Sequence, residues 1–248
     1  MLAEDRLNAI VAFVQEHGSA TVGELADSLD VTASTIRRDL ATLDREHRLS
    51  KVYGGATSLE RAHVRRDLTI PERCDLHTSE KDAICEYAAT LIEPGSFVYI
   101  DSGSTTLRLI EQLPWLDDVT YVTDSVGHAR RLVARGCKIM VLGGELKPQT
   151  EALIGPDAVA MLRRYNFSCG FWGANGVSLS AGFTTPDVNE AEIKRASMQQ
   201  TERRYVLADA SKFGMTAPVS FGAFDSATII TMGDIPVEYR AKSNVLAL

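Results

Sequence analysis

The spacing of apolar residues divides the chain into two stretches with different periods. Leu7, Ile10, Val11 and Val14 fall at i, i+3, i+4 and i+7, one face of a helix that stops at Gly18. Thr21 followed by Glu24 has the spacing of a capping box, and Val22, Leu25, Ala26 and Leu29 supply the inner face of a second helix. After a turn at Asp30 and Val31, Thr32 caps a third helix whose Ile36, Leu40 and Leu43 again repeat at helical spacing. The segment RLSKVYGG then alternates, Leu49, Lys51 and Tyr53 against Arg48, Ser50 and Val52, and ends in Gly54 and Gly55, which predicts a small hairpin. Three short helices and a hairpin share one small core.

Residues 58–79 are polar, contain Pro71 and the pair Arg65 and Arg66, and show no sustained period, as expected of a connector. Beyond them the pattern changes. SFVYI, VTYVTDS, CKIMVLGG, CGFWGANG and RRYVLADASKF read as strands with their loops, and KDAICEYAATLI, TLRLIEQL, VGHARRLVARG, DAVAMLRRY and NEAEIKRASMQQ as the helices between them. Strands alternating with helices predict a mostly parallel sheet covered by helices, with a binding crevice past the carboxyl ends of the strands. The expected architecture is therefore α/β in three parts: a winged helix-turn-helix unit over residues 1–57, a linker over 58–79, and a larger α/β unit over 80–248.

Composition narrows the class. With 45% hydrophobic and 24% charged residues the 248-residue chain matches an ordinary globular protein. No run reaches the roughly 18 apolar residues of a membrane span, and the opening MLAEDRLNAI lacks a signal-peptide pattern, so no membrane and a cytoplasmic location are expected. Cys74, Cys85, Cys137 and Cys169 lie far apart, without a C-x-x-C pair, which indicates neither a disulfide framework nor a metal site.

The net charge of -7 does not suggest a nucleic-acid binder, and residues 1–58 hold six bases against nine acids. Placement matters more, because five of those six bases lie between Arg37 and Lys51. With Ile36, Leu40 and Leu43 turned inward, Thr32, Ser34, Thr35, Arg37 and Arg38 stand at the start or outer surface of the third helix, where a recognition helix carries its major-groove contacts. Arg48, Lys51 and Tyr53 would then form a wing gripping the DNA backbone. The competing reading makes Arg37 and Arg38 a solvated face paired with Asp39 or Asp44.

The chemistry of the second stretch gathers at predicted strand ends. In DSGSTTLRLI, Gly103 frees the backbone while Ser102, Ser104, Thr105 and Thr106 place hydroxyls and N–H groups at a helix start, a phosphate cradle by composition. It is neither a Walker A loop nor a dinucleotide fingerprint, so ATP and NAD are not expected, and plain helix capping would also explain it. Further candidates at strand ends are Thr123, Asp124 and Ser125; Gly143 and Gly144; Gly173, Asn175 and Gly176; and Asp209, Ser211 and Lys212. Glu190 and Lys194, at i and i+4, read as a helix-surface ion pair, which leaves Glu192 as the candidate binding group of that helix.

TIRRDLATLDREHRLSKVYGGA resembles the signature of the DeoR family of bacterial transcriptional regulators, with the Ile-Arg-Arg-Asp-Leu core and the Gly-Gly-Ala wing end in register. His47 stands where that family usually has a glycine. The likeness covers almost the whole chain. It implies a repressor of sugar-metabolism genes that binds operator DNA as a homodimer or homotetramer and answers to a phosphorylated sugar or related metabolite. The family's C-terminal domain is similar to ribose-5-phosphate isomerase, the matching pieces being DSGSTT, EAEIKRA and ADASKFG. By that likeness Ser104, Thr105 and Thr106 would hold the phosphate, Lys212 would pair with the ligand's charge, and Asp101, Asp124 and Glu192 would accept sugar hydroxyls. Asp124 stands where asparagine is common. No cofactor, metal or catalytic residue is implied. The alternative is an active sugar-phosphate isomerase carrying a DNA-binding head, with Glu192 or Asp101 as its base. A winged helix has no role in isomerisation, so the regulator is the expected function.

Overall fold

The computed structural model describes residues 3–46, 48–52, 54–58 and 69–248. His47, Tyr53, Arg65 and Arg66 lie outside the described residues. The chain divides into two compact units, Met1–Arg66 and Asp67–Leu248.

The first unit contains α1 (Ala3–His17), β1 (Ser19–Thr21), α2 (Val22–Leu29), α3 (Ala33–Arg45), β2 (Ser50–Val52) and β3 (Gly55–Thr57). Its boundaries follow local chemistry. The Thr21 hydroxyl accepts the Glu24 N–H while the Glu24 carboxylate accepts the Thr21 N–H, which satisfies two free donors at the start of α2. Asp30 closes α2 in the left-handed region at φ 51°, and Thr32 caps α3 through the Thr35 N–H. Ile10, Val14, Leu25, Ile36, Leu40, Leu43 and Leu49 fill the core between them.

The wing differs from the predicted hairpin in two ways. It has three antiparallel strands in the order β1-β3-β2, because Ser19–Thr21 pairs with the outer side of β3. A side chain at Gly55 would place its Cβ 2.1 Å from the Ala20 carbonyl oxygen, so this close pairing needs a glycine. Leu49 is buried and Lys51 exposed, although the alternation set them on one face; Leu49 precedes β2 and belongs to the core instead.

The second unit begins with α4 (Ile70–Cys74) and α5 (Thr78–Ala89). The connector therefore contains a short helix, started by a Thr69–Glu72 capping box with Pro71 in its first turn. There follow β4 (Phe97–Ile100), α6 (Ser104–Gln112), β5 (Thr120–Thr123), α7 (Val126–Ala134), β6 (Lys138–Val141), β7 (Glu145–Lys147), β8 (Ala152–Ile154), α8 (Pro156–Leu162), β9 (Phe167–Gly173), β10 (Gly176–Ser178) and β11 (Gly182–Thr185). The chain continues through α9 (Val188–Gln199), β12 (Thr201–Leu207), β13 (Val219–Gly222), β14 (Thr228–Thr231), α10 (Val237–Arg240) and β15 (Val245–Ala247).

Seven strands form one parallel sheet in the order β15-β14-β12-β9-β4-β5-β6. Both its faces are covered: Tyr99, Phe167, Trp172 and Val206 pack into one apolar cluster, and Val98, Ile100, Phe171 and Leu207 into the other. That is why these strands read as continuous apolar runs. From β4 the chain runs outward through β5 and β6; from β9 it runs the opposite way through β12, β14 and β15. The order reverses between β4 and β9, the switch point at whose carboxyl ends open α/β sheets place their ligands.

Candidate functional site

Charged and polar groups gather at the ends of four neighbouring strands, β12, β9, β4 and β5. Asp101 follows β4 and is fully buried; its Oδ2 accepts the Gly173 N–H at the end of β9, at 3.1 Å, and a close hydrogen bond from Lys194 Nζ of α9. Lys194 also donates to the Gly173 carbonyl at 3.2 Å. Asp124 follows β5 and accepts the Ser102 N–H at 2.8 Å and the Ser102 hydroxyl at 3.0 Å. Burial pushes the Asp101 carboxyl up to about 7, against the pull of Lys194 and with the help of Asp124. Burial likewise raises Asp124. Asp101 Oδ1 has no hydrogen-bond partner, a free acceptor in a buried place.

Beside these carboxylates the nine-residue α6 opens at Ser104. Ser104 Oγ accepts a hydrogen bond from Lys81 Nζ of α5 at 3.3 Å, and that ammonium also donates to the Arg73 carbonyl at 2.6 Å. Burial pulls Lys81 down to about 8, with Asp209 opposing and Lys212 reinforcing the shift. Asp209, just after β12, accepts the Ser211 N–H at 3.1 Å and lies 3.8 Å from Lys212 Nζ. Burial works against the Asp209 carboxylate, but Lys212 and the Ser211 hydroxyl outweigh it and hold Asp209 below the ordinary carboxylate range. Carboxylates, ammonium groups and free helix N–H groups therefore meet at one sheet edge, a setting suited to a polyol carrying a phosphate.

Several expected groups also have partners within the fold. Thr106 Oγ1 donates to the Gly103 carbonyl at 3.1 Å and bonds the His128 ring at 3.2 Å. The Thr105 carbonyl accepts the Cys85 thiol, and Thr123 Oγ1 accepts the Ser125 N–H. Gly144, at φ 137°, lies where a Cβ would meet the Ile154 carbonyl oxygen at 2.5 Å, and the Gly143 N–H points to Met161 Sδ. A Cβ on Gly176 would lie 2.4 Å from the Met215 carbonyl oxygen, and the Asn175 side chain bonds Thr185.

Helix α9 reverses the expectation for its charged residues. Glu190 and Lys194 do not form a surface pair: both are buried, Glu190 bonding Lys147 at 3.1 Å and Thr150 at 2.5 Å, and Lys194 bonding Asp101. Glu192 is exposed and lies 3.5 Å from Arg195, outside the carboxylate cluster. Two residues off Glu190 and Lys194, it must face the other way on a helix. Lys81 and Lys194 are thus the site groups that sequence patterning passed over. For a cation, the described residues offer one trio, His77, Glu80 and Asp209, with ligand atoms within 4.8 Å of one another. His77 and Glu80 already pair at 2.8 Å, and the Lys212 ammonium beside Asp209 opposes a further positive charge.

In the first unit Ser34, Arg37 and Arg38 are exposed on α3, with Thr32 exposed at its cap and Thr35 half-buried. Asp39 is buried against Arg6 at 2.6 Å, and Asp44 accepts the Lys51 N–H at 2.9 Å. The acids that a solvated pairing would need are committed elsewhere, and among the described residues neither Arg37 nor Arg38 forms an ion pair. Lys51 is exposed at the wing. Arg48 instead ties the wing base to α1 through Asn8 Oδ1 at 2.5 Å and lies 3.7 Å from Glu46.

A winged helix with a bare basic helix face, followed by a parallel α/β unit with charged residues at its switch point, has the form of a two-part regulator. The chain belongs to the DeoR family: residues 6–62 match the DeoR-like helix-turn-helix domain and residues 76–233 the DeoR C terminal sensor domain. It is 38% identical over 93% of its length, and 91% of the relative's, to the uncharacterized HTH-type transcriptional regulator FruR of Bacillus subtilis. It is 32% identical to the HTH-type transcriptional regulator IolR of the same organism, over 96% of this chain and 95% of that one. The lactose phosphotransferase system repressor of Staphylococcus epidermidis is 30% identical, over 85% of this chain and 84% of that protein. Among solved structures, ribose 5-phosphate isomerase A from Neisseria gonorrhoeae aligns with a TM-score of 0.41 at 17% identity, over 54% of this chain and 53% of that one. Among the described residues no helix is long and apolar enough to cross a membrane.

Proposed function

We propose that this protein is a cytoplasmic repressor of sugar-metabolism genes whose hold on operator DNA is set by a phosphorylated sugar in the α/β unit. The observation that carries the reading is the pairing of carboxylates and ammonium groups at the β4–β9 switch point, beside the N-terminus of α6. Ser104 and the first N–H groups of α6, with Lys81 and Lys212, are the candidate phosphate contacts; Asp101 and Asp124 are the candidate hydroxyl acceptors. Ser34, Arg37, Arg38 and Lys51 are the candidate DNA contacts. That the Staphylococcus epidermidis relative is a lactose phosphotransferase system repressor fits this reading. A homodimer or homotetramer would present paired recognition helices to a two-fold operator.

The test is a thermal-shift screen of the full chain against phosphorylated sugars and their unphosphorylated parents. A ligand well above its dissociation constant raises the melting temperature, because it binds the folded state alone. A shift with one phosphosugar and none with its parent supports the reading; equal shifts with both would remove the phosphate from it. Product analysis of the same mixtures tests isomerase activity, and turnover there would favour the enzyme instead.

A further inference from the structure

We propose that Lys81 couples ligand binding to the seating of α4, the helix that follows residues 59–68 in the chain: an anion at the N-terminus of α6 and a docked α4 share this one ammonium and stabilise each other. The inference deepens the sensor reading above and rests on it.

Lys81 is 3% exposed and reaches two elements at once, the Arg73 carbonyl of α4 and the Ser104 hydroxyl of α6. An ammonium has three protons to donate, and these two bonds leave the third for a ligand. The Arg73 carbonyl lies in the last turn of α4, where a cation is favoured, and there it accepts the backbone N–H groups of Asp75 and Leu76 as well. Helix α4 is only five residues long, and none of them is fully buried, although Ile70, Arg73 and Cys74 are half-buried. A helix that short does not persist on its own hydrogen bonds, so its docking contacts decide whether it forms.

Burial is the main cause that lowers Lys81; among the charges around it Asp209 favours the ammonium, while Lys212 and Arg73 act against it. Arg73 Nε is also buried without a hydrogen-bond partner, a donor on α4 itself. An anion entering at Ser104 would offset the repulsion among these cations and fix the ammonium in the position from which it also bonds the Arg73 carbonyl. By linkage, whatever seats α4 must then tighten anion binding by the same factor.

The measurement is amide hydrogen exchange of the full-length protein, following the peptide that covers residues 69–76, with inorganic phosphate titrated at constant ionic strength and with the phosphosugars of the thermal-shift panel. Exchange in that peptide should slow by about tenfold in the wild type when phosphate binds, the usual size of such couplings. Lys81→Met should bind phosphate more weakly and, once saturated, show no slowing in the peptide; Lys81→Arg should restore part of it. Unchanged exchange in the wild type, with phosphate bound by the thermal-shift measure, overturns the coupling and leaves the sensor reading intact. So does ligand-driven slowing that survives in Lys81→Met. If no phosphate-bearing probe shifts the wild type, the cradle itself fails and takes the coupling with it.

Discussion

Replacing Lys194 by methionine would leave the fully buried Asp101 carboxylate with the Gly173 N–H as its remaining hydrogen-bond partner. A buried charge that loses its counter-ion costs about 3–5 kcal/mol, and urea denaturation of Lys194→Met should show a loss of that order. Adding Asp101→Leu should recover most of it; a double variant as unstable as the single one would mean that the pair is not what costs the energy. His128 offers a second test. Its ring is buried between Ser125 and Thr106, and burial pulls it down from 6.5 to about 3. The unfolded chain therefore takes up this proton at a higher pH than the folded one. The stability owed to the neutral ring is full above about 6.5 and drains away as the pH falls toward 3. Wild-type stability minus that of His128→Gln should shrink across that window, and a flat difference would place the ring in contact with water. On α3, Arg37→Ala or Arg38→Ala should each weaken operator binding by about 1–3 kcal/mol, read by fluorescence anisotropy, if they contact base edges as proposed.

Helix starts are the level at which sequence and structure agree best, because a cap is made from residues three apart. Thr21→Ala removes the hydroxyl and unbalances the capping box, and it should lower the stability of the first unit by about 1 kcal/mol. The core faces of α1, α2 and α3 and the alternation of strands with helices from β4 to β12 were legible for the same reason, each being a local period. Three-residue elements such as β1, β7 and β8 were not, since nothing in three residues announces a partner strand. The third wing strand depends on Gly55 lying against Ala20, two residues that no spacing rule connects. The charged residues of α9 were misread because an i, i+4 pair looks the same whether it bonds itself or two distant partners. Glu190 finds Lys147 43 residues away, and Lys194 finds Asp101 93 residues away. Lys81 escaped notice on identical grounds: its partners belong to other elements.

At the scale of the molecule the two units should fail separately. Lys212→Ala is expected to blunt the response to phosphosugar while operator binding without ligand stays at the wild-type level, and Arg37→Ala should do the opposite. Anisotropy titrations with and without ligand distinguish the cases, and loss of both properties in either variant would contradict a two-part switch. The parallel sheet adds a difference in timing. The second unit joins Asp101 to Gly173 across 72 residues and to Lys194 across 93, whereas the first unit closes its core within its own short span. Long-range pairings form slowly, and a growing chain folds its leading domain first. During synthesis the DNA-binding head should thus be finished before the strand ends that carry Asp101, Asp124, Gly173 and Asp209 have come together. A chain that stalled or was cut before β12 should keep a folded head, while the unit proposed as the sensor would lack Asp209 and Lys212.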